Sequence, residues 1–121
     1  MNRGDRQRLL HIRAYCRDIA GFVERFGEDY AVFSGDRAYA SAVSMCVLQI
    51  GELANGLSEE FRKATESQMP WSMIRGMRNW LAHAYAEMDE RVIWETATRD
   101  IPSLLRFCEA VLKEDAENRE K

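Results

Sequence analysis

Residues 70 to 88 read Pro-Trp-Ser-Met-Ile-Arg-Gly-Met-Arg-Asn-Trp-Leu-Ala-His-Ala-Tyr-Ala-Glu-Met. A proline at the head of such a run fits the first turn of a helix, where its missing N–H has no intrahelical partner to lose. At about 100° per residue, Tyr85 falls within roughly 20° of Arg78, and Arg75, Asn79 and His83 follow one another at steps of about 40°. Met73, Met77, Trp80, Leu81 and Met88 occupy the opposite arc. The spacing predicts an amphipathic helix that packs with its methionine and tryptophan face and presents a guanidinium, an amide, an imidazole and a phenol on the other.

The local charge is unlike that of the whole chain. The protein carries a net charge of −3, yet residues 67 to 86 contain no Asp or Glu and include Arg75, Arg78 and His83. Such a field can hold one phosphate group without turning the entire surface into a nonspecific nucleic-acid binder.

Working outward, the same periodicity governs the rest of the sequence. Leu9, Ile12, Cys16, Ile19, Val23 and Phe26 form an apolar stripe for a first helix that ends near Gly27. A loop containing Ser34, Gly35 and Asp36 follows, with Asp36 placed to cap a second helix whose stripe is Tyr39, Ala42, Val43, Cys46, Ile50, Leu53 and Leu57. Ser58-Glu59-Glu60-Phe61 reads as a short helical turn continuing toward Thr65. Asp89 caps a last helix with the stripe Ile93, Ala97, Ile101, Leu104, Cys108 and Val111, which Pro102 bends locally. Residues 114 to 121 form a polar tail that frays. The expected fold is all-α: an antiparallel up-and-down four-helix bundle with a short extra helix, one domain spanning residues 1–121.

Composition agrees with a globular chain: 121 residues, 46% apolar and 31% charged, with two prolines and seven glycines. Three cysteines, Cys16, Cys46 and Cys108, are far apart and set among apolar neighbours, so reduced, buried thiols are expected rather than a disulfide framework or a zinc site. The charged segment Met1 to Arg8 is followed by no long apolar run, so neither a secretory signal nor a membrane span is expected, and a cytoplasmic location is. No cofactor and no metal are implied.

The residue types on the loaded face suit phosphodiester chemistry. Arginine offers phosphate a planar fork of donors that stays charged at any working pH, while an imidazole exchanges protons near neutrality. RNA carries its own nucleophile, the 2′-hydroxyl; His83 is the candidate base, Arg78 the candidate holder of the non-bridging oxygens, and Asn79 can orient the imidazole or bind the ribose. The chain has one other histidine, His11, far from these residues. A twofold dimer would bring two Arg78 and two His83 side chains to one cleft.

The segment Gly76 to Tyr85, with its Arg78, four residues, His83, one residue, Tyr85 pattern, resembles the HEPN superfamily and its HepT-like branch. Gln49-Ile50-Gly51-Glu52, Leu57-Ser58, Pro70-Trp71, Ile74, Val92-Ile93-Trp94 and Pro102 extend the resemblance over roughly residues 36 to 105. It implies an all-helical homodimer acting as a metal-independent endoribonuclease, the toxin of a type VII-like toxin–antitoxin pair. Its implied partner is a minimal nucleotidyltransferase antitoxin, MntA-like, that adenylylates the motif tyrosine, here Tyr85. The alternative it leaves open is a noncatalytic nucleotide-binding or regulatory subunit of the same nucleotidyltransferase.

Structural roles compete for each residue. Arg78 can pair with Glu52, Asn79 can satisfy backbone groups, and Tyr85 can sit at the rim of the bundle. Arg75 is either a solvated charge or a substrate-binding, phosphate-steering one, and Trp71, Trp80 and Trp94 suit packing or subunit contacts. Gln49 and Glu52 are weak site candidates.

Overall fold

The computed structural model describes residues 1–80 and 89–120, and among them no strand occurs. The chain is all-α. Helix α1 (Arg3–Phe26) is followed by α2 (Tyr30–Gly35), α3 (Arg37–Gly56), α4 (Glu59–Thr65), α5 (Trp71–Trp80), α6 (Glu90–Glu95) and α7 (Ile101–Arg119), with a π-helical turn, Thr96–Asp100, joining the last two.

Short polar caps mark where the helices begin. Asn2, Asp29, Asp36, Ser58 and Asp89 each accept a hydrogen bond from a first-turn backbone N–H, satisfying donors that a helix leaves without partners. Gly27 ends α1 at φ 115°, a conformation that costs glycine little and other residues a steric clash. Both the Asp36 and the Asp89 caps fall where the sequence places them. Pro70 differs by one position: its carbonyl accepts the first helical bond, from Ile74 N at 3.1 Å, so it precedes α5 instead of opening it.

α2 was not expected from the sequence, which reads there as a loop. Its six residues bury a single side chain, Phe33, so no period can reveal it. Phe33 is nonetheless an anchor. Its ring meets Tyr39 edge-on at 5.2 Å and Trp94 at 5.1 Å, while Tyr39 stacks on Phe26 at 4.9 Å and donates its hydroxyl to the Gly27 carbonyl. This aromatic group closes one end of the bundle.

α3 is the central helix, packed against α1 on one side and α5 on the other, and α1 also packs against α7. The contacts fix the directions. Asp5, at the start of α1, accepts from both the backbone N and the hydroxyl of Ser58, just past the end of α3, so those helices run antiparallel. Gly51 lies against Arg78 and Asn55 bonds Arg75, so α3 and α5 also run antiparallel. Asp5 is buried, and its two bonds to Ser58 tie the start of α1 to the cap of α4.

Most of the expected stripes are buried, Leu9, Ile12, Cys16 and Ile19 on α1 and Ile93, Ala97, Ile101, Leu104 and Cys108 along α6 to α7, while Val23, Phe26 and Val111 are half-buried; the thiols of Cys16, Cys46 and Cys108 are buried. α3 buries Tyr39, Val43, Cys46 and Ile50 of its stripe and leaves Ala42 and Leu53 half-buried, while Val47 and Ala54 are buried as well, because it has neighbours on two sides. Near Pro102 the expected bend takes the form of the π turn: Ile101 N–H reaches back five residues to the Thr96 carbonyl. The polar C-terminal residues remain helical through Arg119 rather than forming a frayed tail.

Candidate active site

The described part of the motif lies on α5, and its packing face differs from the one that the period suggests. Trp71, Ile74 and Met77 are buried, whereas Met73 is 36% exposed and Trp80 half-buried. Arg78 stands seven residues after Trp71, within roughly 20° of it around the helix. The guanidinium therefore leaves α5 from the packed side, beside Ile74, and not from a face opposite the core. Asn79 is exposed and Arg75 half-buried. His83 and Tyr85 lie outside the described residues.

Gly51 explains why α5 sits this way. A Cβ at Gly51 would lie 2.5 Å from Arg78 N and 3.2 Å from both Arg78 Cα and the Ile74 carbonyl oxygen. No real Cβ tolerates the first of these distances, so the two backbones meet only because position 51 has no side chain. The backbone of the candidate phosphate-binding residue is thereby set directly against the central helix.

Arg78 makes no ion pair with Glu52. Glu52 is exposed, and the ion pairs among the described residues are Arg17–Glu109 and Lys63–Glu59. Nη1 of Arg78 is shielded from solvent and has no acceptor among the described residues. A shielded guanidinium N–H without a partner is costly, and an anionic oxygen is the acceptor that compensates best.

A turn earlier, Arg75 donates through Nε to Asn55 Oδ1 at 3.1 Å. Asn55 also receives, at its carbonyl, a bond from Arg62 Nη1, which reaches the Leu57 carbonyl as well. These carbonyls terminate α3, where the helix leaves acceptors unsatisfied and its dipole favours cations. Arg8 of α1 approaches the same place, since a Cβ on Gly56 would lie 2.5 Å from its Nε. The end of α3 thus gathers arginines from three other helices. Nothing in the sequence marks Asn55, Arg62 or Arg8 as neighbours of the motif; Gly51 is visible only as part of the Gln49–Glu52 match.

Thiol chemistry is not available to this site. Burial pushes the Cys46 thiol up to about 11 and the Cys108 thiol up to about 12, and drives Cys16 upward too, so all three stay protonated near neutrality. Gln49 points its amide toward Met45 Sδ at 4.0 Å and shows no link to Arg78. No helix among the described residues is long and apolar enough to cross a membrane.

Comparison with known proteins places this arrangement in context. A protein of Caldanaerobacter subterraneus subsp. tengcongensis named "Putative RNase" is 33% identical over 107 residues, covering 88% of this chain and 93% of its own. A namesake in Methanocaldococcus jannaschii is 31% identical over 106 residues, 88% of this chain and 89% of its own. "Probable ribonuclease HepT" of Thermococcus cleftensis is 34% identical over 95 residues, 74% of this chain and 86% of its own. No solved structure matches the chain. The family described as Ribonuclease HepT-like matches residues 12–111, from the middle of α1 to the middle of α7, and so takes in the Gly51 contact, Arg78 and the motif that follows it: the chain belongs to the HepT-like ribonuclease family.

Proposed function

We propose that this protein is a ribonuclease toxin that cleaves RNA without a metal ion and is silenced by a nucleotidyltransferase antitoxin. The observation that carries the reading is Arg78: a guanidinium on a helix locked against α3, with a shielded Nη1 that no described protein atom accepts. Membership of a ribonuclease family makes a phosphodiester the fitting anion.

In this mechanism the 2′-hydroxyl attacks the adjacent phosphorus as His83 removes its proton, and the 5′-oxygen of the next nucleotide departs with a proton in return. Arg78 neutralises the charge that builds on the non-bridging oxygens, and its fork geometry suits two of them at once. Asn79, four residues before His83 in the sequence, orients the imidazole or binds the ribose. His11, the chain's other histidine, is exposed on α1, so the acid is His83 of a second copy in a twofold dimer. Arg75 steers the strand toward the pair. AMP attached to Tyr85 adds negative charge and bulk to the same cleft and blocks RNA.

The test is cleavage of single-stranded RNA by purified protein in the presence of a chelator. Cleavage should leave a 2′,3′-cyclic phosphate, and His83→Ala should lower the rate by about 10²–10⁴-fold, the usual contribution of a positioned base. Equal cleavage by His83→Ala would falsify the base assignment. Absence of cleavage together with tight ATP binding would instead identify a regulatory subunit of the nucleotidyltransferase. For the modification, intact mass after incubation with the partner and ATP should rise by one AMP in the native chain and stay unchanged in Tyr85→Phe.

A further inference from the structure

Beside Arg75, a cleft of about 390 Å³ opens between α4 and the start of α5, lined by Arg62, Lys63, Ser72 and Arg75 together with Glu59 and Glu66. Arg62 and Arg75 are both half-buried and both held in place. Arg62 spends Nη1 on two carbonyls at the end of α3, and Arg75 spends Nε on Asn55. Each guanidinium has five N–H donors, so most of those on either side chain have no described protein acceptor. Their positions are therefore fixed while their capacity to bind an anion is largely unspent, which is the pre-organisation that phosphate recognition needs.

We propose that this cleft is a second phosphate subsite, in which Arg62 and Arg75 hold an RNA phosphate that flanks the scissile one at Arg78. The inference rests on the ribonuclease reading and extends it to a substrate register. Arg75 precedes Arg78 by three residues, about 4.5 Å along the helix axis, so one extended strand reaches both. The charge balance limits the subsite to a single phosphate. Lys63 is already paired with Glu59 at 3.2 Å, and Glu66 opposes further anions. A single strand that places one phosphate here and the next bond at Arg78 fits this balance; a duplex with phosphates on two strands does not.

The experiment measures binding of a short, end-labelled single-stranded oligoribonucleotide to the full chain carrying His83→Ala, by fluorescence anisotropy across a range of salt. Arg62→Gln should weaken binding several-fold and flatten the dependence of log K on log salt by about 0.7, the value for one phosphate contact on a single strand. Because Arg62 also caps α3, a second variant leaves every cap in place: Ser72→Glu puts a carboxylate on the exposed first turn of α5, which the helix dipole tolerates, and should weaken binding comparably. Ser41→Glu adds the same charge about 21 Å along α3 from Asn55, beyond the screening length, and should bind like the parent. If the parent binds RNA and both Arg62→Gln and Ser72→Glu match it in affinity and salt slope, the subsite is wrong and the Arg78 reading stands. A parent that binds no RNA at any salt overturns both.

Discussion

α5 has two seams, and they are built differently. Toward α3 it meets backbone with backbone, Gly51 lying under Arg78 with no room for a methyl group. Toward α7 it meets side chains, with Trp71 edge-on to Phe107 at 5.6 Å and Met73, Ile74 and Met77 facing Ile101 and Leu104 around a pocket of about 80 Å³. The first seam has no give, since backbone cannot move aside as a rotamer can. The second has slack around the two methionines, because methionine adapts its shape and the pocket leaves contacts unmade. The helix carrying Arg78 is thus held most closely on the side from which Arg78 emerges.

Substitutions can break this contrast. Gly51→Val should be the most damaging, costing about 3 kcal/mol or more in urea unfolding, because a branched side chain must force two helices apart. Gly51→Ala should cost about 1–3 kcal/mol, and in conditions where it is still folded its RNA cleavage should fall as well, since Arg78 moves with the backbone. Normal stability for both variants would show that the α3 seam yields as readily as the other. On the α7 side, Met77→Leu should cost less than about 1.5 kcal/mol, as volume-conserving exchanges do, although Met77 is as deeply buried as any residue of α5. A larger loss there would erase the distinction.

The tie at the base of the bundle bears on the same seam from a distance. Asp5→Ala strands the Ser58 N–H and hydroxyl that Asp5 now satisfies, and should lower stability by about 1–3 kcal/mol. A further expected effect is one of pH. The buried thiols are neutral in the fold with pKa values of about 11 and 12 for Cys46 and Cys108, against 9.0 for an unperturbed thiol. The unfolded chain therefore loses protons first as pH rises. Stability should be unaffected by the thiols below pH 9 and should decline above it, measured as a falling urea midpoint. Replacement of both cysteines by alanine should remove that part of the decline; if the slope is unchanged, other groups carry it.

Much of the fold was legible in the sequence because its signals are local. A capping aspartate acts within three residues, and a stripe on one helix needs only a single dominant neighbour. The Asp36 and Asp89 caps fall as read, and most of the stripe is buried on α1 and along α6 and α7. The period misleads for α2, too short to display one, and for α5, whose close approach to α3 at Gly51 sets which side is packed. The motif itself was visible as residue types at set spacings, but the face that Arg78 shares with Trp71 and Ile74 was not.

What the sequence by itself determined is the all-α architecture, the capped starts at Asp36 and Asp89, the buried thiols and the family motif, since each depends on residues close together along one helix. Only the tertiary structure decided that Arg78 rises from the packed side of α5, that Gly51 makes this possible, and that arginines from α1, α4 and α5 meet at the end of α3. Those facts arise from how closely separate helices approach, and the distance between two backbones is written in no single stretch of chain.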